Sequence, residues 1–231
     1  MEWRDSTGKR LSDYSRPSVA VDVAVLTVDP ERTGLLVLLH QRDETFATGR
    51  WSLPGTFVRE HELLSEAVRR ALDTKVGVSG RAPQQLHVFD EPNRDDRGRV
   101  LSIAHLDLIA FDQLDTTRRP GCLLSPIEGD PPRAVLPDGN SGGLAFDHDQ
   151  IVAGAVGATR DAYQDRPDPS HLIGPEFTLR ELHRLHAAVL GDAVLAKDTF
   201  RRRMLPHLVE TGRYSDGTVG KPARLFRRAY V

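Results

Sequence analysis

Hydrophobic positions in the first part of the chain fall into short runs that predict β-strands. Residues 18–29 alternate valine and leucine with smaller or polar residues, and residues 35–41 carry a continuous Leu-Leu-Val-Leu-Leu segment, which is typical of a strand buried on both faces. Pro30 and Gly34 lie between the two runs and indicate a turn. The pattern therefore predicts two strands joined by a turn.

The middle of the chain mixes helical and strand periodicity. It predicts a helix near residues 62–76, strands around 86–90 and 100–111, and a helix over about 149–162 that is capped by Asp147 or Asp149. By contrast, residues 118–143 contain five prolines and five glycines with little periodicity. That composition predicts a surface loop insert.

The last sixty residues begin with a predicted amphipathic helix. Thr178 followed by Glu181 is a capping box, and Gly191 would end the helix. Its apolar stripe consists of Leu179, Leu182, Leu185 and Val189.

A second, arginine-rich helix follows after a short turn and begins near Asp198. Its inward-facing residues are spaced i, i+4, i+8: Phe200, Met204 and Leu208. Arginines 201–203 occupy the other faces, and residues 213–217 and 220–226 predict two short strands around a basic turn. The pattern matches a winged helix-turn-helix, whose second helix enters the DNA major groove. A helical hairpin with a charged surface is the plainer alternative.

Composition is that of an ordinary soluble globular protein. The 231 residues are 39% hydrophobic and 28% charged, and no apolar run approaches the length of about 18 residues that a membrane span needs. The polar start lacks a signal-peptide pattern, and the single cysteine, Cys122, excludes an intramolecular disulfide. These features predict a cytoplasmic protein, with residues 1–16 as a flexible tail.

Charge is distributed unevenly although the net charge is only −2. Residues 171–231 carry two lysines and nine arginines against six acidic residues, whereas the other 170 residues carry 20 basic and 27 acidic side chains. A basic end on an acidic body favours a nucleic-acid partner for that end.

Residues 53–78 hold the most informative motif. After Leu-Pro-Gly, the chain places Thr56, Glu62, Arg70 and Leu72 ahead of Gly77-Val78. This order resembles the Nudix box, G-x5-E-x7-R-E-U-x-E-E-x-G-U with U a bulky aliphatic residue, with Thr56 at the opening glycine. The resemblance implies an α/β fold, an α/β/α sandwich with a mixed sheet over residues 17–165, in which Glu62 and Arg70 pair. An amphipathic helix that ends at Gly77 would explain the periodicity alone.

The three glutamates that should follow Arg70 are replaced by Ala71, Thr74 and Lys75. Positions 71, 74 and 75 share one face of a helix, where three carboxylates would bind Mg²⁺ that activates water. Without them we expect no catalytic residues, no metal, no cofactor and no enzyme activity. The frame is then expected to bind its ligand without cleaving it.

Several basic residues are candidates for contacting that ligand. Arg97 and Arg99, in a hairpin near the predicted cleft, and Arg42, at the end of the second strand, could form paired hydrogen bonds with phosphate. Lys75 could replace Mg²⁺ as the counter-charge of a diphosphate, and Phe57 lies within the box. Solvated loop charges are the alternative for each arginine.

The order of all these pieces over residues 18–228 resembles the Nudix-related transcriptional regulators called NrtR. The resemblance implies a homodimeric bacterial repressor of NAD-metabolism genes that senses ADP-ribose or a related nucleotide and binds a palindromic operator. In residues 171–231, the winged helix-turn-helix domain, it assigns DNA contacts to Lys197, Thr199, Arg201 and Arg202 on the second helix and to Lys221 and Arg224 on the wing.

Two other readings remain open. A Nudix pyrophosphatase could use displaced carboxylates at Glu60, Glu62, Glu66 or Asp73, of which Glu62 and Glu66 are one turn apart. A protein-interaction module could instead use the basic tail to bind an acidic partner. Release of AMP and ribose 5-phosphate would support the first, and a salt-insensitive complex without DNA the second.

Overall fold

A computed structural model describes residues 3–31, 34–42, 46–116, 119–137, 143–215 and 222–229. The strands are β1 (Ser18–Val28), β2 (Leu35–Gln41), β3 (Trp51–Ser52), β4 (Gly55–Phe57), β5 (Gln84–Phe89), β6 (Val100–Leu108), β7 (Cys122–Glu128), β8 (Arg133–Ala134), β9 (Leu208–Tyr214) and β10 (Arg224–Arg228). The α-helices are α1 (Leu64–Val76), α2 (His148–Tyr163), α3 (Leu179–Leu190) and α4 (Lys197–Met204). Residues 3–16 include a 3-10 turn at Leu11–Asp13, and the flexibility of this segment stays a prediction.

The main sheet has the order β5-β6-β1-β2-β7-β8, with β3 paired to β2 and β4 paired to β1. The pair β1–β6 is parallel and the others are antiparallel, so the sheet is mixed as expected. Both long central strands are buried almost throughout. Helices cover both faces of the sheet, which explains why these two strands are almost continuously aliphatic.

Residues on β1 alternate between two cores. Val21, Val23 and Val25 pack against α1, whereas Ala24 and Leu26 pack on the other face against α2. Successive side chains of a strand point to opposite faces, so one strand serves both layers. The α/β/α sandwich is therefore confirmed.

The prediction of a loop insert over residues 118–143 is wrong for its central part. Residues 122–128 form β7, which pairs with β2 from Leu36–Pro126 to His40–Cys122, and β8 pairs with the end of β7. The prediction failed because proline usually indicates a turn or loop, whereas Pro126 lies within the strand. Residues 138–142 lie outside the described residues.

Helix boundaries differ slightly from those predicted. Helix α1 begins at Leu64 rather than at 62, because Glu66 Oε2 accepts the backbone N–H of Leu63 at 2.8 Å and closes the first turn there. Gly77 ends it in the left-handed conformation, φ 70°, as predicted. Asp147 occupies the N-cap position of α2 as predicted, but its side chain makes no capping hydrogen bond, and Asp149 Oδ2 instead accepts from Leu144 N–H at 3.0 Å.

The C-terminal part folds as two helices followed by a hairpin. Thr178 caps α3 through the predicted box, with Glu181 N–H donating to Thr178 Oγ1 at 3.2 Å and Thr178 N–H donating to Glu181 Oε2 at 2.7 Å. Helix α4 ends at Met204 because Pro206 follows, so Leu208 belongs to β9 and not to the helix. The hairpin begins at 208, five residues before the predicted first wing strand.

Helix α3 connects two hydrophobic clusters. Its residues Leu185 and Val189 belong to the core beneath α2, whereas Leu182 packs with Phe200 of α4 and Phe226 of β10. The winged part is therefore packed against the sandwich through a shared helix. Among the described residues, no helix has the length and apolar content needed to cross a bilayer.

Candidate ligand cleft and nucleic-acid interface

The frame of the Nudix-like box is assembled around one ion pair. Arg70 donates to both Glu62 oxygens at 2.7 Å, to Thr56 Oγ1 at 2.8 Å and to the Phe57 carbonyl at 2.9 Å. The hydrogen bonds from Arg70 lower the pKa of Glu62 to about 2, against a small opposing effect of burial. The implied pairing of Glu62 with Arg70 is present, and it attaches the loop to α1.

The three replaced positions do not fit a magnesium ion. Ala71 is fully buried, Thr74 Oγ1 donates to the Arg70 carbonyl at 2.6 Å, and Lys75 carries a cationic side chain instead of a carboxylate. Hard divalent cations take carboxylate and carbonyl oxygens, so this set of side chains lacks the required donors.

Two of the four displaced carboxylates of the enzyme alternative have other partners. Glu62 accepts from Arg70, and Glu66 closes the first turn of α1. Within the described parts of the chain, no group of three His, Cys, Asp or Glu side chains is arranged to hold a metal.

Next to the box lies an arginine–phenylalanine cluster, which we define as Arg42, Phe46, Phe57, Arg97 and Phe146. The Arg97 guanidinium lies 5.2, 5.1 and 4.9 Å from the ring centres of the three phenylalanines, in that order. Arg42 lies 4.9 Å from the Phe146 ring, and Phe46 and Phe146 are stacked at 6.0 Å. Guanidinium groups over aromatic faces can bind phosphate at their edges while the rings accept a planar base.

A cleft of about 580 Å³ opens beside this cluster. Phe46 and Phe146 provide apolar surface, Arg50 and Arg94 provide positive charge, and the carboxylates come from Glu91, Asp96 and Asp147. A cleft of this size suits a small molecule with both planar and charged groups.

Beneath the cleft lies a buried polar network. Arg94 pairs with Asp147 at 2.5 and 2.8 Å and approaches Asp22 at 3.6 Å, and Ser102 donates to Asp22 at 2.6 Å. His148 Nδ1 accepts the Leu53 N–H at 3.0 Å, so its proton is on Nε2, 3.4 Å from Asp22 Oδ1.

This network keeps Asp22 ionised. Burial acts to raise the pKa of Asp22, but His148, Ser102 and Arg94 together outweigh it and hold the pKa at about 2. The helix-capping interpretation missed the network because its partners are at least 53 residues apart in sequence.

Of the predicted ligand residues, Arg42, Phe57 and Arg97 meet in the arginine–phenylalanine cluster. Arg99 instead donates to the Asp90 carbonyl at the base of the β5–β6 hairpin, and Lys75 is on α1. None of the five predicted ligand residues is among the described residues that line the cleft, which the cluster reaches through Phe46 and Phe146. Sequence reasoning missed Phe46 and Phe146, since single aromatics in loops carry no periodic signal.

The predicted DNA residues on α4 form one exposed group. Lys197, Thr199, Arg201 and Arg202 are all exposed, whereas Phe200 faces the core. The third arginine of the run, Arg203, is paired with Asp165 at 2.6 Å. On the wing, Arg224 pairs with Glu210 at 2.7 Å, and Lys221 lies outside the described residues.

Comparison with known proteins assigns both halves. A model described as the NUDIX domain matches residues 18–128, and one described as the NrtR DNA-binding winged helix domain matches residues 169–228. Over 226 residues, 94% of this chain and 84% of the relative, the sequence is 30% identical to the ADPR responsive transcriptional repressor NtrR of Acinetobacter baylyi. The chain belongs to the NrtR family.

Solved structures agree with the NrtR assignment. Shewanella oneidensis NrtR complexed with a 27mer DNA superposes with a TM-score of 0.72 at 28% identity, covering 91% of this chain and 93% of that one. The NUDIX domain of the same protein complexed with ADP ribose gives a TM-score of 0.51 at 26% identity, over 66% of this chain and 94% of that one. An ADP-ribose pyrophosphatase of Methanocaldococcus jannaschii is also similar, 30% identical over 145 residues, 62% of this chain and 76% of that protein.

Proposed function

We propose that this NrtR-family protein is a transcriptional repressor of NAD-metabolism genes that senses ADP-ribose, or a related nucleotide, without hydrolysing it. One observation carries the proposal: the chain joins a Nudix frame that lacks its metal-binding acids to a winged helix with an exposed basic helix. The Acinetobacter relative, an ADPR responsive repressor, and the Shewanella structures with DNA and with ADP ribose support the two halves.

The ligand half rests on the arginine–phenylalanine cluster. ADP-ribose carries a planar adenine and an anionic diphosphate, and the cluster combines three aromatic rings with two guanidinium groups. We assign Arg42, Phe57 and Arg97 to direct contact. Lys75 and Arg99 are proposed to add positive charge at longer range.

Loss of catalysis follows from the replaced box. Hydrolysis of a nucleotide diphosphate by the metal route needs a cation that polarises the phosphoryl group and activates water. Ala71, Thr74 and Lys75 supply no carboxylate for it. The residues that build the frame are kept, which favours binding without cleavage.

The DNA half rests on α4. We assign Lys197, Thr199, Arg201 and Arg202 to the major groove and its phosphates, and Lys221 and Arg224 to the wing. A homodimer with two-fold symmetry would place two such helices about one DNA turn, roughly 34 Å, apart, which matches a palindromic operator. A repressor of this kind acts in the cytoplasm.

The ligand half is tested by calorimetric titration of ADP-ribose into wild type, Arg97→Ala and Lys75→Ala, with Arg69→Ala, an exposed arginine of α1, as the matched control. We expect Arg97→Ala to weaken binding about tenfold or more, equivalent to about 1.4 kcal/mol, and the control to leave it unchanged. Unchanged affinity in Lys75→Ala would remove Lys75 from the site.

The enzyme alternative, which the Methanocaldococcus relative favours, is tested in the same samples. Incubation of ADP-ribose with Mg²⁺ should give no AMP or ribose 5-phosphate above a protein-free blank. Steady magnesium-dependent release would establish a hydrolase in place of a sensor.

A further inference from the structure

Helix α2 reaches from the ligand cleft to the DNA-binding part. Asp147 and Gln150, at its N-terminal end, line the cleft, and Tyr163 is its last residue. Sixteen residues span about 24 Å at 1.5 Å per residue. One rigid element therefore has its two ends at the two functional regions.

The C-terminal end of α2 is packed against both helices of the DNA-binding part. The Tyr163 ring lies 5.3 Å from the His186 ring of α3, and His186 lies 4.9 Å from Phe200 of α4. All three side chains are buried. Close packing of this kind transmits displacement because the interior has little free volume.

A buried carboxylate connects the same end of α2 to the wing. Asp168 is fully buried and accepts from the Tyr163 hydroxyl at 2.7 Å, from Leu172 N–H at 2.9 Å and from Ile173 N–H at 3.1 Å. Its remaining partner is Arg228, which forms an ion pair with Oδ2.

Arg228 extends this connection across the wing. From β10 it donates to the carbonyls of Asp168 at 3.1 Å, Ile173 at 2.9 Å and Gly174 at 3.3 Å, and its guanidinium lies 5.0 Å from the Phe177 ring. Phe177 in turn exchanges two backbone hydrogen bonds with Phe226, at 3.0 and 2.8 Å. Both oxygens of the Asp168 carboxylate therefore have partners. These are Tyr163 of α2, the backbone N–H groups of residues 172 and 173, and Arg228 of the wing.

We propose that α2 transmits ligand occupancy to the wing, and that Tyr163, Asp168 and Arg228 are the positioning residues that couple cleft to DNA. A ligand against Phe146 and Asp147 would shift the first turn of α2. Since Tyr163 at the other end is buried, packs on His186 and is hydrogen-bonded to Asp168, α3 and the wing would have to follow. The inference rests on the proposed function, because the ligand must bind the two arrangements with different affinity.

The test measures coupling, which is the ratio of the DNA dissociation constants with and without saturating ADP-ribose. Allosteric ratios typically lie between about 5 and 150. We expect Tyr163→Phe, which keeps the ring and loses the hydrogen bond, and Arg228→Lys, which keeps the charge and loses the paired geometry, each to bring the ratio closer to one by at least threefold. Arg227→Gln, on the exposed side of the same strand, is the control and should keep the wild-type ratio.

A merely structural role predicts a different result. In that case the variants would lower the melting temperature and weaken DNA binding equally with and without ligand, leaving the ratio unchanged. Unchanged ratios in both variants, with a wild-type ratio clearly different from one, would overturn the inference and leave the proposed function intact. A wild-type ratio of one, despite DNA binding, would contradict the sensing function itself and the inference with it.

Discussion

Arg94 and Asp147 form a bidentate ion pair of 2.8 and 2.5 Å beneath the cleft, with 3% and 7% of their side-chain surfaces exposed. The pair joins the β5–β6 hairpin to the start of α2. Because both groups are removed from water, each depends on the other for compensation of its charge.

Removing one partner should therefore be costly. Arg94→Met is expected to lower the free energy of unfolding by about 3–5 kcal/mol, since it leaves Asp147 as a buried carboxylate without its ion-pair partner. Urea denaturation measures this, with Arg99→Met, at an exposed position at the base of the same hairpin, as the control. A loss below about 1 kcal/mol, the range of surface ion pairs, would show that water reaches the network.

Two glycines should respond to alanine with opposite signs. A Cβ on Gly55 would lie 2.0 Å from Asp22 Oδ1 and 2.9 Å from the Val21 carbonyl, so Gly55→Ala should destabilise by about 1–3 kcal/mol through overpacking. A Cβ on Gly157, in α2, would have no described atom within 4 Å beyond its own helix backbone and chain neighbours. Gly157→Ala should stabilise by about 0.5–1 kcal/mol. Thermal unfolding of both variants checks the pair, and a destabilised Gly157→Ala would contradict the packing of α2.

Much of the fold was predictable because its signals are local. Alternating valines, the Thr178–Glu181 box and Gly77 each specify an element within a few residues. The box also predicted the Glu62–Arg70 pair, which connects residues only eight apart. Strand β7 was missed because Pro126 and the flanking glycines outweighed a short apolar run, and its pairing with β2, which is distant in sequence, gives no local signal.

The cleft was less predictable because its parts are distant in sequence. Arg97 meets Phe46 and Phe146 only after three loops converge. Likewise, nothing local indicated that Asp168, next to two prolines, would accept hydrogen bonds from both α2 and β10. Residue types in the sequence could suggest the chemistry of the ligand. Which side chains contact one another is determined by the tertiary fold.

Buried His186 should make stability sensitive to mild acid. Both its ring nitrogens lack hydrogen-bond partners in the described structure. Burial lowers its pKa from 6.5 to about 4, although Asp168 acts to raise it, and His183 contributes to the lowering. The unfolded chain takes up a proton near pH 6.5 and the folded chain does not until about pH 4, so stability is lost as pH falls through that window. Between pH 7 and 5 the loss should be about 2 kcal/mol.

His186→Phe keeps an aromatic ring between Tyr163 and Phe200 and has no proton to gain. Wild type should lose about 2 kcal/mol of unfolding free energy through His186 between pH 7 and 5. We expect the His186→Phe variant not to show this loss. Urea titrations at both pH values provide the comparison. Identical pH dependence in the two proteins would mean that His186 is protonated in the fold.

We expect Arg202 to contact DNA, either at a phosphate or at the edge of a base. The salt dependence of the DNA affinity distinguishes these two contacts. If Arg202 neutralises one phosphate, Arg202→Ala should weaken all DNA sites alike and reduce the slope of log affinity against log salt by about 0.9. If Arg202 instead contacts a base, Arg202→Ala should weaken the preference for one base at a single position of the DNA site. Equal affinity and slope to wild type, with Arg69→Ala as control, would exclude Arg202 from the interface.

The central claim is that this one chain binds both a nucleotide and DNA, and that the nucleotide changes its affinity for DNA. Fluorescence anisotropy with DNA from upstream of the protein's own gene, with and without ADP-ribose and at two salt concentrations, tests it directly. We predict tight, salt-dependent binding that ADP-ribose shifts by at least fivefold. Binding no tighter than to random DNA, or affinity that ADP-ribose leaves unchanged, would contradict the account.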